Sequence, residues 1–279
     1  MLTNSFIFAK GMTEEQERLI WSHGVRDWAT LKRHPGAAAD AIGETRAQKL
    51  VAQVNEAQEA LERGDAGWFA LRWPEKESWR LWHGFCQPHE IALVDIETTG
   101  RTPGYDQITV IGLSDGQLER AFVADRPMPG DEALDAFPEA MKRYKLLVTY
   151  NGVGFDVPFI EHHFRQSGFK FQVPHIDLMW PARALGLSGG LKDMEKQLGI
   201  TRADAIAEMR GSEAITLWGA WKNGDRASYD KLVTYCKADC TNLKAFADEI
   251  HRRKWDQSFT PYINDIDLDA ACGEQLSLF

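Results

Sequence analysis

Ile91-Ala92-Leu93-Val94-Asp95-Ile96-Glu97-Thr98-Thr99-Gly100 is the stretch on which the fold of this chain turns. The apolar run from Ile91 to Val94 predicts a buried strand. Side chains two apart on a strand share a face. Asp95 and Glu97 therefore project together from the strand end, and Gly100 lets the chain turn away. Adjacent acids repel unless a cation lies between them, and hard divalent ions such as Mg²⁺ and Mn²⁺ prefer carboxylate oxygens. A solvated strand end can carry the same two letters, so the rest of the chain must decide.

Toward the C-terminus, strands are expected at 91–96, 107–113 and 118–123, with Ser114-Asp115-Gly116 as a hairpin turn between the last two. A helix over about 131–143, a strand over 146–150 and a helix from Phe155 to about Ser167 follow. A short strand near 172–177 then leads to helices at about 177–186, 190–198, 213–222 and 226–252. A hairpin followed by β-α-β predicts an α/β fold, a mixed sheet flanked by helices. The strand at 146–150 runs into Asn151-Gly152-Val153-Gly154-Phe155-Asp156, where two glycines permit a tight turn. Asp156 opens the next helix, either as its capping acid or as a further acid of a site. In Tyr235-Cys236-Lys237-Ala238-Asp239, helical positions i and i+4 share a face, so Tyr235 and Asp239 point the same way. An ordinary amphipathic helix with one polar position has the same spacing.

In order and setting the three segments together resemble the DEDD superfamily of 3′→5′ exonucleases, the DnaQ-like branch of the ribonuclease-H-like fold. The resemblance covers roughly residues 90 to 250. Asp95 and Glu97 match its first motif, Asp156 with Asn151 upstream its second, and Asp239 its third. Tyr235, four residues before Asp239, marks the Tyr subgroup; the His subgroup needs His where Thr234 stands. Trp79-Arg80-Leu81, Asp95–Gly100 and Gly190-Leu191-Lys192-Asp193-Met194-Glu195-Lys196-Gln197-Leu198-Gly199 are most similar to the YprB-like family. The resemblance implies a two-metal phosphodiesterase, with Asp95, Glu97, Asp156 and Asp239 holding two divalent ions (Mg²⁺ or Mn²⁺) about 3.5–4 Å apart. Tyr235 would orient the attacking water or take its proton; a free Tyr has a pKa near 10, which favours orientation unless the metals lower it. Thr98 and Asn151 are the candidates for contact with the terminal nucleotide, although Asn151 equally suits holding its own turn. Solvated or capping roles are expected for His162, His163, Asp177, Lys192 and Lys196, and Cys236 and Cys240 are read as packing residues.

Upstream, 13–34 and 40–63 read as helices. Thr13-Glu14-Glu15-Gln16 has the form of a capping box, Gly24-Val25 ends the first helix, and a short second one stops at Pro35. Residues 1–63 are expected to form a helical appendage. The aromatic runs 68–73 and 79–85, split by Pro74–Ser78, are expected to form a hairpin leading into an exonuclease domain over 64–258. Arg72 and Arg80 are its candidates for phosphate contact.

A formal net charge of −9 opposes non-specific nucleic-acid binding. Residues 1–90 carry 11 basic against 13 acidic residues and the remainder 21 against 28, so the acidity is spread. No apolar run approaches the roughly 20 residues of a membrane span, no signal peptide is expected, and four cysteines without C-x-x-C spacing suit a reduced cytoplasmic protein. From residue 259 an acidic, flexible tail is expected. It ends in Gln275-Leu276-Ser277-Leu278-Phe279, which resembles the peptide by which bacterial repair and replication proteins dock on the sliding clamp. That resemblance implies Gln275, Leu276, Leu278 and Phe279 as partner contacts and favours single-stranded DNA or unpaired 3′ ends as substrate. An exoribonuclease, or a non-catalytic clamp-binding adaptor, is the alternative.

Overall fold

The Thr13 hydroxyl accepts a hydrogen bond from the Gln16 backbone N–H and the Gln16 side-chain oxygen accepts one from the Thr13 N–H, which starts α1 (Glu14–Ser22) where the capping box predicts. The computed structural model describes residues 2–125, 127–202, 209, 211–263 and 268. The chain divides into two compact units, Met1–Phe85 with His251–Phe279, and Cys86–Ile250. The division falls after Phe85, whereas the sequence suggested residue 63.

In the first unit α2 (Trp28–Arg33), capped by Asp27, is followed by α3 (Pro35–Ile42) and α4 (Glu44–Glu62). The short second helix stops before Pro35 as expected, and Pro35 also begins the next one, because its fixed φ and missing N–H suit a first helical position. Gly43, at φ +86°, breaks the helix expected over 40–63. The hairpin expected over 68–85 is not formed: the segment is α5 (Ala66–Arg72) followed by a 3-10 helix, Glu75–Leu81. The Asp65 carboxylate accepts the Trp68 N–H at 2.9 Å and nucleates that turn. Phe69 and Trp73 then fall at helical spacing, ring centroids 6.0 Å apart. Arg80, expected near phosphate, is buried instead, between Glu17 (2.7 Å) and Glu77 (2.6 Å), and its Nη1 also donates to Ser5.

The second unit is built on one six-stranded sheet: β1 (Ile91–Thr98), β2 (Ile108–Ser114), β3 (Glu119–Val123), β4 (Glu132–Ala133), β5 (Leu146–Thr149) and β6 (His175–Asp177), in the order β4-β3-β2-β1-β5-β6. β2 is antiparallel to both neighbours, whereas β5 and β6 run parallel to β1. The C-terminal ends of β1, β5 and β6 therefore lie at one sheet edge, where open α/β sheets place their ligands. Glu132 and Ala133, expected at the start of a helix, instead pair with β3; the helix of that region is the shorter α6 (Phe137–Met141).

Ala92, Val94 and Ile96 of β1 enter an apolar cluster with Phe137 of α6 and with Phe159 and Ile160 of α7 (Asp156–His163). Strand alternation then turns Asp95 and Glu97 to the opposite face. After α8 (Met179–Ala184) and α9 (Leu191–Leu198), that face is covered by α10 (Gly211–Lys222) and α11 (Arg226–Ser258). There Val110, Ala121 and Val123 pack against Trp218, Tyr229, Leu232 and Cys236. Among the described residues no helix is long and apolar enough to cross a membrane.

Candidate metal centre

Gly112 of β2 stands opposite Asp95 in the β1–β2 register. A Cβ there would lie 2.6 Å from Cys240 Sγ and 2.9 Å from Cys236 Sγ. The missing side chain lets α11 approach the sheet, and the small residues Cys236 and Cys240, four apart, fill the contact. Cys236 Sγ comes 3.6 Å from the Asp95 carbonyl oxygen and 4.0 Å from its Oδ2. Tyr235 and Asp239, each the residue before one of these cysteines and a turn apart on α11, are thereby brought to the acidic end of β1.

Of β1, only Ile91–Leu93 pair with β5, so its last residues have no strand on that side. Asp156, at the start of α7, takes the place: its carboxylate accepts the Ile96 N–H together with its own. The 151–154 turn that delivers it is held by Asp177, which accepts N–H groups from Asn151 (2.7 Å), Val153 (3.0 Å) and Met179 (3.1 Å). Asp177 thus receives the first N–H of the next helix, whose N-cap residue is Leu178, and also ties the turn after β5 to β6. Asn151 sits at φ +61° in that turn, and Thr98 donates its hydroxyl to the Gly100 carbonyl. Both substrate-contact candidates are thus held in local turns beside the acids.

Glu97, Asp156 and Asp239 are buried and Asp95 is partly accessible. One ligand atom each of Asp95, Glu97 and Cys236 lie within 4.8 Å of one another. Desolvation and the charges of Asp239, Asp156 and Glu97 hold the Asp95 carboxyl well above the ordinary carboxylate range. Glu97 is raised by burial and by Asp239 and Asp156, with Lys192 opposing. Burial pushes Asp156 up to about 7, against its two backbone hydrogen bonds. Burial takes Asp239 to about 6, against the neighbouring Arg202. The four acids therefore share a site whose negative charge is under-compensated. Their oxygens are the hard donors that a divalent cation takes; the adjacent Cys236 thiol is pushed upward by burial and stays protonated.

Tyr235 hydrogen-bonds Asp239. Burial and the charges of Asp239, Asp95 and Glu97 hold its phenol above the usual value, so at neutral pH it is a donor. Lys192 Nζ lies 5.2 Å above its ring centroid, where a solvated position was expected. Sequence reasoning missed Arg202, whose Nε donates to Glu195 at 2.5 Å and whose Nη1 donates to Asp239. Arg202 and Asp239 are 37 positions apart, and no local pattern announces the pair.

A family model described as RNase_H superfamily matches residues 92–251, the segment that carries all four acids and Tyr235. Comparison with curated proteins finds no match. Among solved structures, one described as the apo form of a nuclease aligns at TM-score 0.43 and 18% identity, over 67% of this chain and 81% of that one. A family B DNA polymerase from the archaeon Pyrobaculum calidifontis aligns at TM-score 0.43 and 18% identity, over 58% of this chain and 25% of the polymerase.

Proposed function

The chain belongs to the RNase_H superfamily, and from that premise we propose that it is a metal-dependent 3′→5′ exonuclease of the DEDD type, Tyr subgroup, acting on single-stranded DNA or unpaired 3′ ends. The observation that carries the reading is the convergence of Asp95, Glu97, Asp156 and Asp239, from three separate elements, with Tyr235 hydrogen-bonded to Asp239. Four carboxylates, three of them buried, match the charge of two divalent ions, Mg²⁺ or Mn²⁺. Such ions, when bound, supply a nucleophilic water at neutral pH and stabilise the attacking and leaving oxygens.

The chain's own residues do the rest. Asp156 and Asp239 hold their positions through backbone and Arg202 contacts, so the donor set is organised before any ion arrives. Tyr235, kept protonated, orients the water rather than taking its proton. Thr98 and Asn151 are assigned to the terminal nucleotide. The preference for DNA rests on Gln275, Leu276, Leu278 and Phe279 as a sliding-clamp docking peptide. These residues lie outside those described, so the assignment stands on sequence resemblance. Tethering to a clamp raises the local concentration at DNA and offsets the unfavourable charge of −9.

The test is degradation of matched DNA and RNA oligonucleotides, labelled at either end, with Mg²⁺ or Mn²⁺. The expected result is shortening from the 3′ end, faster on DNA, abolished in Asp95→Ala and in Asp239→Ala. Wild-type-like activity in those variants overturns the site, and faster loss of RNA makes the protein an exoribonuclease. Deleting 275–279 is expected to remove clamp binding while sparing activity on free oligonucleotides; unchanged clamp affinity refutes the docking peptide.

A further inference from the structure

Beside Asp239, α9 and the 199–202 loop enclose a cavity of about 290 Å³ whose walls include Lys192, Glu195, Lys196 and Arg202. We propose that this cavity is a second phosphate subsite, taking a nucleotide phosphate other than the scissile one; the assignment rests on the nuclease reading above. Three of its four charged residues are cationic. Arg202 is the anchor, with a side chain only 5% exposed. Its Nε is taken by Glu195 and its Nη1 by Asp239, while its Nη2 is buried with no hydrogen-bond partner among the described residues.

A buried guanidinium N–H left without an acceptor is unfavourable, and phosphate oxygens are the acceptors that guanidinium groups favour. Glu195 Oε1 is likewise buried without a partner among the described residues. A bare anion would not satisfy it. A nucleotide would, because sugar hydroxyls and base N–H groups donate. The volume is at the small end of ligand sites, which suits one nucleotide rather than a duplex. Arg202 reaches both the cavity and Asp239, so the subsite adjoins the metal centre. The phosphate has two possible sources, an internal linkage of the bound strand or the nucleoside monophosphate released from its end.

Calorimetric titration of the full chain with inorganic phosphate in EDTA tests the subsite without turnover. Wild type is expected to bind saturably, and Lys196→Gln and Arg202→Gln each to weaken binding at least fivefold with the fold retained by circular dichroism. Absent binding, or binding equal in all three proteins, overturns the subsite even if the nuclease reading holds. Binding with no oligonucleotide degradation sinks the nuclease reading and leaves the subsite standing.

Steady-state cleavage then separates the sources. With an internal phosphate, Lys196→Gln raises KM about tenfold on ordinary DNA. It changes little on an oligonucleotide carrying a neutral methylphosphonate at the linkage next to the terminal one. With product phosphate, that linkage leaves the wild-type to variant ratio unchanged, and nucleoside monophosphate inhibits wild type at least fivefold more strongly than Lys196→Gln. If neither pattern is seen, the subsite is refuted.

Discussion

Gly112 carries no side chain, and the approach of α11 to Asp95 depends on that. Adding a Cβ puts a carbon 2.6 Å from Cys240 Sγ and 3.0 Å from the Cys236 carbonyl oxygen. The backbone carbonyl cannot swing aside as a flexible side chain would, so the helix itself must move. Gly112→Ala is expected to cost about 1–3 kcal/mol, the usual range for overpacking a tight interior, read as a lower Tm. It should also reduce turnover more than substrate affinity, because Tyr235 and Asp239 ride on the displaced helix. An unchanged Tm would show that the contact is loose. This dependence was hidden in the sequence: the residues that meet Gly112 lie more than 120 positions downstream. Asp95 and Glu97 were legible because strand alternation alone places two acids on one face. Arg202 was not, because nothing near it in the chain signals a carboxylate partner.

At the scale of elements, the misread segment was 68–85, where aromatics around a proline-containing turn imitate a hairpin. Phe69 and Trp73 lie four apart, a helical spacing, and Asp65 caps the turn before them. With so short a segment, periodicity alone does not separate the two forms. The same region supplies Arg80, which the sequence offered as a phosphate contact. In the first unit it is buried between Glu17 and Glu77, with side-chain exposures of 2% for Arg80 and 1% for Glu17. Burial raises the Glu17 carboxyl against the pull of Arg80, so the pair is held together by mutual need rather than by surplus attraction. Removing one partner strands the other. Arg80→Met is expected to destabilise the first unit by about 3–5 kcal/mol. Arg18→Ala, which breaks an exposed helical pair with Glu14, should change stability by about 0.5 kcal/mol or less. Urea titration of the two variants checks the contrast; equal midpoints would show that the Arg80 cluster is not under buried-charge control.

Across the whole molecule, the acidic site sets how stability responds to pH. Asp156 stands at about 7 in the folded chain against an ordinary 3.8, and Asp239 at about 6. A carboxyl raised on folding favours the folded state while it stays protonated. Its contribution is complete below about pH 3.8 and is lost as pH climbs through the folded value. Glu90 and Asp115 act in the opposite sense, since they are held below 4.5 and 3.8 respectively; their contribution is lost only on acidification below those values. From pH 5 to 7 the acidic cluster does not act alone. Glu17, raised by burial, acts in the same sense. His175, lowered by burial to about 4, and His163, also lowered by burial, add stability as pH rises toward 6.5. The cluster is therefore read from wild type against Asp156→Asn. In EDTA, the Tm of wild type minus that of Asp156→Asn is expected to fall across that interval, because the folded wild type must gather a negative charge at Asp156 that the unfolded chain already spreads through water. A divalent cation that binds only the folded state adds stability and needs the carboxylates ionised. The rise in Tm on adding Mn²⁺ should therefore be small at pH 5 and largest above pH 7. Asp156→Asn removes one of the raised carboxyls and should also shrink the Mn²⁺ increment. A Tm difference between wild type and Asp156→Asn that stays level from pH 5 to 7 in EDTA, together with a Mn²⁺ increment independent of pH, would mean that the four acids do not titrate as one site, and the metal centre would have to be sought elsewhere.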